Sequence, residues 1–93
     1  MNKQKLRYAI LKEFDNGNKN ISDADFPVEQ NEFDEAVRFL GREGYIRGVG
    51  YADNRPYFLQ AVHVTEKGEK YLSENSAWSK VYKGIKEIKG FIK

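Results

Sequence analysis

The 93-residue sequence contains no cysteine, which excludes disulfide bonds, zinc sites with thiolate ligands and thiol nucleophiles. It also has no apolar run near the roughly 18 residues that a membrane-spanning helix requires. Its first ten residues, MNKQKLRYAI, lack the apolar segment of a signal peptide. We therefore expect a cytoplasmic protein with no membrane partner.

Residues suited to catalysis are scarce as well. His63 is the single histidine, and one imidazole without further nitrogen or thiolate ligands makes a poor metal site. The glycines at 48 and 50 lack the third glycine and the following helix of a dinucleotide-binding loop. Acidic residues that lie close together in sequence are better explained as helix-start acids and as a solvated helix face. We expect a non-enzyme with no catalytic residue, no metal and no cofactor.

The composition is that of one globular domain, with 40% apolar and 32% charged residues and with six Phe, six Tyr and one Trp to fill a core. The net charge of +2 is distributed unevenly. Residues 76–93 contain five lysines and one glutamate, a net charge of +4, so residues 1–75 carry −2. The basic character belongs to the tail.

Local patterns predict the first elements of the fold. Apolar residues at helical spacing predict a helix from Lys3 to Asp15. Ile21 is a short apolar element, which we interpret as a short strand. Ser22 and Asp25 have the spacing of a capping box, and they predict a stub helix that ends at Phe26-Pro27.

A third helix is predicted from Glu29 to Glu43, because its apolar residues fall within about 100° on a helical projection. Two runs rich in Tyr, Val, Ile and Phe follow, on either side of the turn cluster at residues 53–56. They predict a β-hairpin with a loop of about five residues. Beyond it, VTEKGEKYL begins a fourth helix capped by Thr65, and Ser76 can cap a fifth that reaches the C-terminus.

The predicted order is helix, short strand, stub helix, helix, hairpin and helix. The path from FLGREGYI through a hairpin to VTEKGEKYL is similar to that of bacterial winged-helix regulators, and the whole chain resembles the YjcQ family. That resemblance implies a small phage- or prophage-associated protein of Gram-positive bacteria, with four helices, three strands and no established activity. We predict an α+β fold of the winged helix-turn-helix type, with about four to five helices and a small antiparallel sheet of two to three strands.

We assign residues 1–75 to the winged-helix domain and residues 76–93 to a basic amphipathic helix that is part of this domain or a dimerisation element. In winged-helix domains the helix after the last strand lies close to the strands and to the first helix. Gly68 is then predicted to be a packing residue where backbone approaches backbone. Tyr71 and Leu72, at three- and four-residue spacing from Gly68, would reach the core on the same side.

Binding of double-stranded DNA is the function that this fold favours, because a winged helix normally inserts its third helix into the major groove. Opposite the apolar stripe and on its flanks lie six polar side chains, Asn31, Glu32, Asp34, Glu35, Arg38 and Arg42. We predict that Asn31, Arg38 and Arg42 read the groove. Two cations and three acids give this face a net charge of −1, however, and either Asp34 or Glu35 can pair with Arg38.

The hairpin offers further cations. We predict that Arg47, Asn54 and Arg55 contact the DNA backbone as the wing. The alternative function is a non-enzymatic module that uses the winged-helix scaffold for protein contacts, with the acidic third helix adapted to a protein partner.

The tail has one apolar side and one lysine-rich side. The apolar side is formed by six residues, Trp78, Val81, Tyr82, Ile85, Ile88 and Ile92. This stripe is suited to closing the core of its own domain, to pairing with its twin in a homodimer or with a protein partner, or, through its lysines, to gripping phosphates. An anionic membrane is the least favoured partner, because Lys89 falls inside the apolar stripe.

Overall fold

The computed structural model describes residues 2–52, the backbone of 55–57, and residues 59–79. It contains three α-helices, α1 (Lys3–Asp15), α2 (Gln30–Arg42) and α3 (Glu66–Glu74), and four short strands, β1 (Ile46–Arg47), β2 (Gly50–Ala52), β3 (Arg55–Tyr57) and β4 (His63–Val64). Single 3₁₀ turns lie at Asp23–Asp25, Leu59–Ala61 and Ser76–Trp78. The fold is α+β, as predicted.

The first two helices begin and end close to where the sequence predicts. The Asn2 side chain caps α1 by accepting a hydrogen bond of 2.7 Å from the backbone N–H of Gln4. In α2 the predicted terminal residues, Glu29 and Glu43, are the two caps rather than helical positions. Both helices bury an apolar side, and they pack against each other.

The stub helix between them is one 3₁₀ turn. Its predicted capping box is present, and the Ser22 N–H donates to the Asp25 carboxylate at 2.9 Å. The turn stops at Phe26, whose backbone is extended because the following Pro27 disfavours the helical conformation. The short strand predicted at Ile21 is wrong. Ile21 lies outside every strand of the described chain, and its side chain enters the core.

The hairpin, residues 46–64, is divided into two strand pairs. Near the core β1 pairs antiparallel with β4 (Ile46↔Val64), and farther out β2 pairs antiparallel with β3 (Gly50↔Tyr57). Between the pairs the outgoing arm has two residues, 48 and 49, whereas the returning arm has five, 58–62. The three extra residues bring Leu59 and Val62 into the core.

Gly48 makes this offset possible. Its φ is +92°, and a Cβ there would overlap the carbonyl oxygen of Ala61 in the 3₁₀ turn opposite. The small antiparallel sheet of two to three strands predicted from the sequence is present, but within the described residues it is divided into two pairs of strands. The predicted loop of about five residues is too long, since only residues 53 and 54 separate β2 from β3.

The core lies where α1, α2, α3 and the base of the hairpin meet. The largest fully buried side chains are Ile10, Leu11, Val37, Leu40, Ile46 and Val62. They come from α1, α2 and both arms of the hairpin. Because Ile46 belongs to β1, the β1–β4 pair contributes to the core although it has only four residues.

Gly68 has the packing role predicted for it. A Cβ at this position would overlap the carbonyl oxygen of Tyr45 and lie 2.7 Å from a methyl carbon of Val64. Thr65 caps α3 by accepting from the Gly68 N–H at 3.0 Å, and its hydroxyl donates to the Gly44 carbonyl at 2.6 Å. The start of α3 is thereby tied to the end of α2.

Three α-helices in the described residues are fewer than the four to five predicted. The stub helix is a single 3₁₀ turn, and the predicted fifth helix begins with another at Ser76–Trp78 and then lies outside the described residues from 80 to 93. Among the helices that are described, none is both long and apolar enough to cross a membrane.

Candidate nucleic-acid interface

Helix α2 presents a polar face opposite the side that it buries. Asn31, Glu35 and Arg42 are exposed on this face, and Arg38 is half-buried. Phe33, one of the apolar residues on the opposite side, is buried in the core. The three residues predicted to read DNA, Asn31, Arg38 and Arg42, therefore lie on the solvent side of α2.

Asp34 does not belong to this face. Its expected place on a solvated flank is wrong, since only 5% of Asp34 is exposed. Without it, the exposed or half-exposed charged residues of the face are Glu32, Glu35, Arg38 and Arg42. The net charge of these side chains at the surface is zero, whereas the count of all six polar residues in the sequence is −1.

Glu35 and Arg42 form an ion pair on this face. An oxygen of the Glu35 carboxylate lies 3.7 Å from the Arg42 guanidinium, and the two side chains are 50% and 59% exposed. Pairs this exposed contribute only about 0.2–1 kcal/mol. Arg42 can therefore exchange Glu35 for a phosphate or a base at a small energetic cost.

The acids and the cations occupy opposite ends of the face. Glu32 belongs to the first turn, where its carboxylate accepts a hydrogen bond of 3.2 Å from the Glu29 N–H and complements the helix dipole. Arg42 ends the helix, about 15 Å farther along its axis at 1.5 Å per residue. The cationic end is thus the C-terminal half of α2.

The hairpin packs beside this cationic end. Tyr51 of β2 extends toward the last turn of α2, where its hydroxyl lies 3.9 Å from the position that a Cβ on Gly41 would occupy. Arg47 of β1 is exposed, and its cross-strand neighbour is His63. The polar face of α2 and the hairpin are therefore neighbours in space.

Arg55 and Asn54 are the other two predicted wing residues. Arg55 is the first residue of β3 and pairs with Ala52 through the backbone. Asn54 lies outside the described residues. Their roles stay predictions, together with that of Arg47.

The opposite flank of α2 carries an aromatic row that the sequence did not reveal. Phe39, Tyr45 and Tyr71 follow one another, with ring centroids 6.2 Å and 4.7 Å apart, and the Arg7 guanidinium lies 3.5 Å from the Phe39 centroid. Burial, and secondarily the neighbouring Tyr45, raises the pKa of Tyr71 against the opposing effect of Arg7. No local spacing signals these contacts, because they join α1, α2, the start of the hairpin and α3.

Of the apolar stripe predicted in the tail, only Trp78 is described. It is half-buried against the core of its own chain, and the Lys5 ammonium lies 5.7 Å from its ring centroid. The other members of the stripe, Val81, Tyr82, Ile85, Ile88 and Ile92, lie outside the described residues. Trp78 therefore serves its own domain.

The groups considered for catalysis or metal binding stay apart. His63 is exposed on β4, and within the described ranges no three His, Asp or Glu side chains come together in a way that could hold a metal ion. A cavity between α1 and α2, lined by Leu6, Arg7 and Ala36 among others, has a volume of about 40 Å³. That volume is far below the roughly 300–1,000 Å³ of ordinary ligand pockets.

Comparison with known proteins identifies one family. The sequence model of the YjcQ protein family matches residues 4–91. The uncharacterized protein YjcQ of Bacillus subtilis (strain 168) is 58% identical over 94 residues, which cover all of both chains. The solution NMR structure of the YjcQ protein from Bacillus subtilis matches with a TM-score of 0.71 and 55% identity, covering 80% of this chain and 96% of that one.

Proposed function

We propose that this chain, which belongs to the YjcQ protein family, binds double-stranded DNA in the manner of a transcription regulator. Helix α2 would enter the major groove, with Asn31, Arg38 and Arg42 facing the base edges. The hairpin would lie on the DNA backbone through Arg47, Asn54 and Arg55.

The proposal includes the finer description of the fold as a winged helix-turn-helix. Its support is the order of elements, in which α1, a short helical turn and α2 are followed by a hairpin and a returning helix. In this description α2 is the recognition helix, and the distal strand pair β2–β3 is the wing. The short turn at Asp23–Asp25 takes the place of the usual second helix.

One observation carries the proposal, namely that the hairpin packs beside the C-terminal half of α2, where the arginines of its polar face lie. A duplex lying against Arg38 and Arg42 would then lie within reach of Arg47 as well. Affinity for DNA comes largely from cations that replace counterions at phosphates. Arginines from two neighbouring elements suit that requirement.

The test is the salt dependence of binding to a short mixed-sequence duplex, followed by fluorescence anisotropy. Each neutralised phosphate adds about 0.9 to the slope of log affinity against log salt concentration. Arg47→Ala combined with Arg55→Ala should therefore reduce the slope by about two. The matched control is Lys19→Ala with Lys70→Ala, which removes the same charge from outside α2 and the hairpin and should leave the slope unchanged.

Residue-resolved NMR shifts distinguish this interface from the basic tail. Titration with the same duplex at near-physiological salt should shift the signals of Arg38, Arg42, Arg47 and Arg55. If only the signals of Lys80 to Lys93 shift, and these shifts vanish with salt, the protein has a tail that attracts polyanions and no groove-reading helix.

Protein binding is the second candidate function, and the Glu35–Arg42 ion pair favours it. A face with zero net charge is typical of a surface that meets another protein rather than a polyanion. In that case the arginine double variant and its lysine control would have the same slope, and α2 would be the surface to test against protein partners.

Self-association is a further part of the proposal. A homodimer would place two copies of α2 on one duplex, in keeping with the two-fold symmetry that DNA-binding dimers share with their sites. The apolar residues of the tail from Val81 to Ile92 are the proposed contact between the two copies. The same stripe could instead contact a different protein partner. Trp78 is left out because it packs on its own core.

A further inference from the structure

Tyr51 is unlike the other tyrosines whose side chains the structure describes. Tyr8 is buried, and Tyr45 and Tyr71 are half-buried against the core. Tyr51 is 50% exposed, and it is the one large hydrophobic side chain in residues 2–52 and 59–79 that is exposed to this degree. Half of an aromatic ring is therefore left in water, although aromatic side chains gain most when they are covered.

The position of Tyr51 connects the hairpin with α2. It is the central residue of β2, between the half-buried Gly50 and Ala52. Its hydroxyl reaches the last turn of α2 at Gly41, which follows Arg38 by three residues and precedes Arg42 by one. Residues three apart on a helix are neighbours on its surface, so the hydroxyl lies close to the arginine-bearing side of α2.

Gly41 covers little of that hydroxyl. A glycine has no side chain that could cover the hydroxyl. Even a Cβ placed on Gly41 would lie 3.9 Å from the Tyr51 hydroxyl oxygen, which is an ordinary contact distance. Within residues 2–52 and 59–79, the Tyr51 hydroxyl forms no hydrogen bond with another residue. The hydroxyl thus has a donor to offer at the junction of α2 and the hairpin.

We infer that Tyr51 is itself a DNA contact, whose hydroxyl donates a hydrogen bond to a backbone phosphate while its ring covers the adjoining deoxyribose. This inference rests on the proposed DNA binding and assigns to it a residue that the charge pattern did not indicate. Tyrosine hydroxyls are among the common donors to phosphates, and such contacts fix the register of a protein on the duplex. The arginines of α2 and of the hairpin would supply the charge that attracts the phosphate.

The experiment compares the full chain with Tyr51→Phe and Tyr51→Ala in the same salt series of duplex titrations. Tyr51→Phe should weaken binding about tenfold, which is the usual effect of losing a hydrogen bond to a charged group. Tyr51→Ala should weaken it further because the ring contact is lost too. Neither should change the salt slope, because a neutral side chain displaces no counterion.

An unchanged salt slope distinguishes a direct contact of Tyr51 with DNA from a structural role of Tyr51 in the hairpin. If Tyr51 only held the hairpin against α2, its loss would detach the hairpin arginines and lower the slope together with the affinity, and the inference would be wrong. Tyr71→Phe makes the same chemical change in α3 and should leave the affinity as it is.

The remaining outcomes separate the inference from the proposed function. If the wild-type protein binds the duplex with an arginine-dependent slope and Tyr51→Phe binds equally well, the inference fails and DNA binding stands. If the wild-type protein does not bind duplexes at any salt concentration, both fail.

Discussion

Gly68 is a point of close packing, where an added Cβ would overlap the backbone of another element. Because Gly68 has no Cβ, the Tyr45 carbonyl can lie directly against its backbone. The Gly68 N–H donates a hydrogen bond to the Thr65 hydroxyl. The glycine is therefore located where α3, the end of α2 and the start of the hairpin come closest. A side chain at this point has no open direction in which to move.

Gly68→Ala should lower the free energy of unfolding by about 1–2 kcal/mol. Alanine favours a helix over glycine by up to about 1 kcal/mol, whereas overpacking a close contact costs about 1–3 kcal/mol. The overlap is with a backbone carbonyl, which cannot rotate away as a flexible side chain can, so the steric cost should be the larger of the two.

Urea denaturation measures this difference. Lys70→Ala, at an exposed position of the same helix, is the control and should stay within about 0.5 kcal/mol of the wild type. A Gly68→Ala protein as stable as the wild type or more so would show that α3 can move away from Tyr45 freely.

Tyr71 makes stability depend on pH in the alkaline range. Burial raises its pKa in the folded protein, so the folded state holds the proton more tightly than the unfolded chain does. The contribution is complete below the unfolded pKa of about 10 and is lost as the pH rises through the folded pKa.

The prediction compares the wild type with Tyr71→Phe, which has no proton to lose. Free energies of unfolding measured between pH 8 and pH 11 should differ by a constant amount up to about pH 10, and above it the wild type should lose stability more steeply. Parallel curves over the whole range would contradict a raised pKa.

At the scale of elements, the charge of the α2 face depends on Glu35. This residue neutralises Arg42 at the end of the helix that lies beside the hairpin. Because both side chains are largely exposed, the pair adds little to stability and mainly affects how the face attracts ligands.

Glu35→Gln should strengthen binding to duplex DNA, because Arg42 then reaches the DNA without first giving up its contact with the Glu35 carboxylate. Glu74→Gln removes the same charge from the end of α3 and should leave the affinity unchanged. Anisotropy titrations in the salt series measure both. Equal effects of the two substitutions would indicate that only the net charge of the protein matters.

The hairpin is the other element whose geometry affects the site. The left-handed Gly48 and the three extra residues of the returning arm divide it, so that β1 and β4 belong to the core while β2 and β3 extend beside α2. Tyr51 lies beyond this break, in the strand pair that extends beside α2.

At the scale of the whole molecule, the apolar stripe of the tail is expected to join two copies. Sedimentation equilibrium should give a mass twice that of the chain, and Ile85→Glu with Ile88→Glu should halve it, because charges inserted into an apolar contact disfavour association. Lys86→Gln, on the lysine-rich side, is the control and should leave the mass unchanged.

Two results would contradict the dimer. A wild-type mass equal to that of one chain would exclude it directly. A double variant that keeps its mass while losing stability to urea would assign the stripe to the core of its own domain, the use that Trp78 already has.

Much of the fold follows from the sequence alone, because its signals are local. Apolar spacing and capping residues within a few positions of each other predicted α1, α2, the turn at Ser22–Asp25 and the start of α3. The tight contact at Gly68 was also predicted, but only with the help of a family resemblance. The α+β class followed from the order of these elements.

Other features were decided by the tertiary structure. The stacking of Arg7 on Phe39 and the division of the hairpin depend on residues far apart in the chain, and the burial of Asp34 depends on what packs against α2. Tyr51 and Gly41 are ten positions apart, and nothing in either segment indicates that they meet. A helical projection shows which residues share a side but not what packs against that side. For this reason the sequence determined which residues form the polar face of α2. Only the tertiary structure decided which charges lie at that surface and that the hairpin packs beside it.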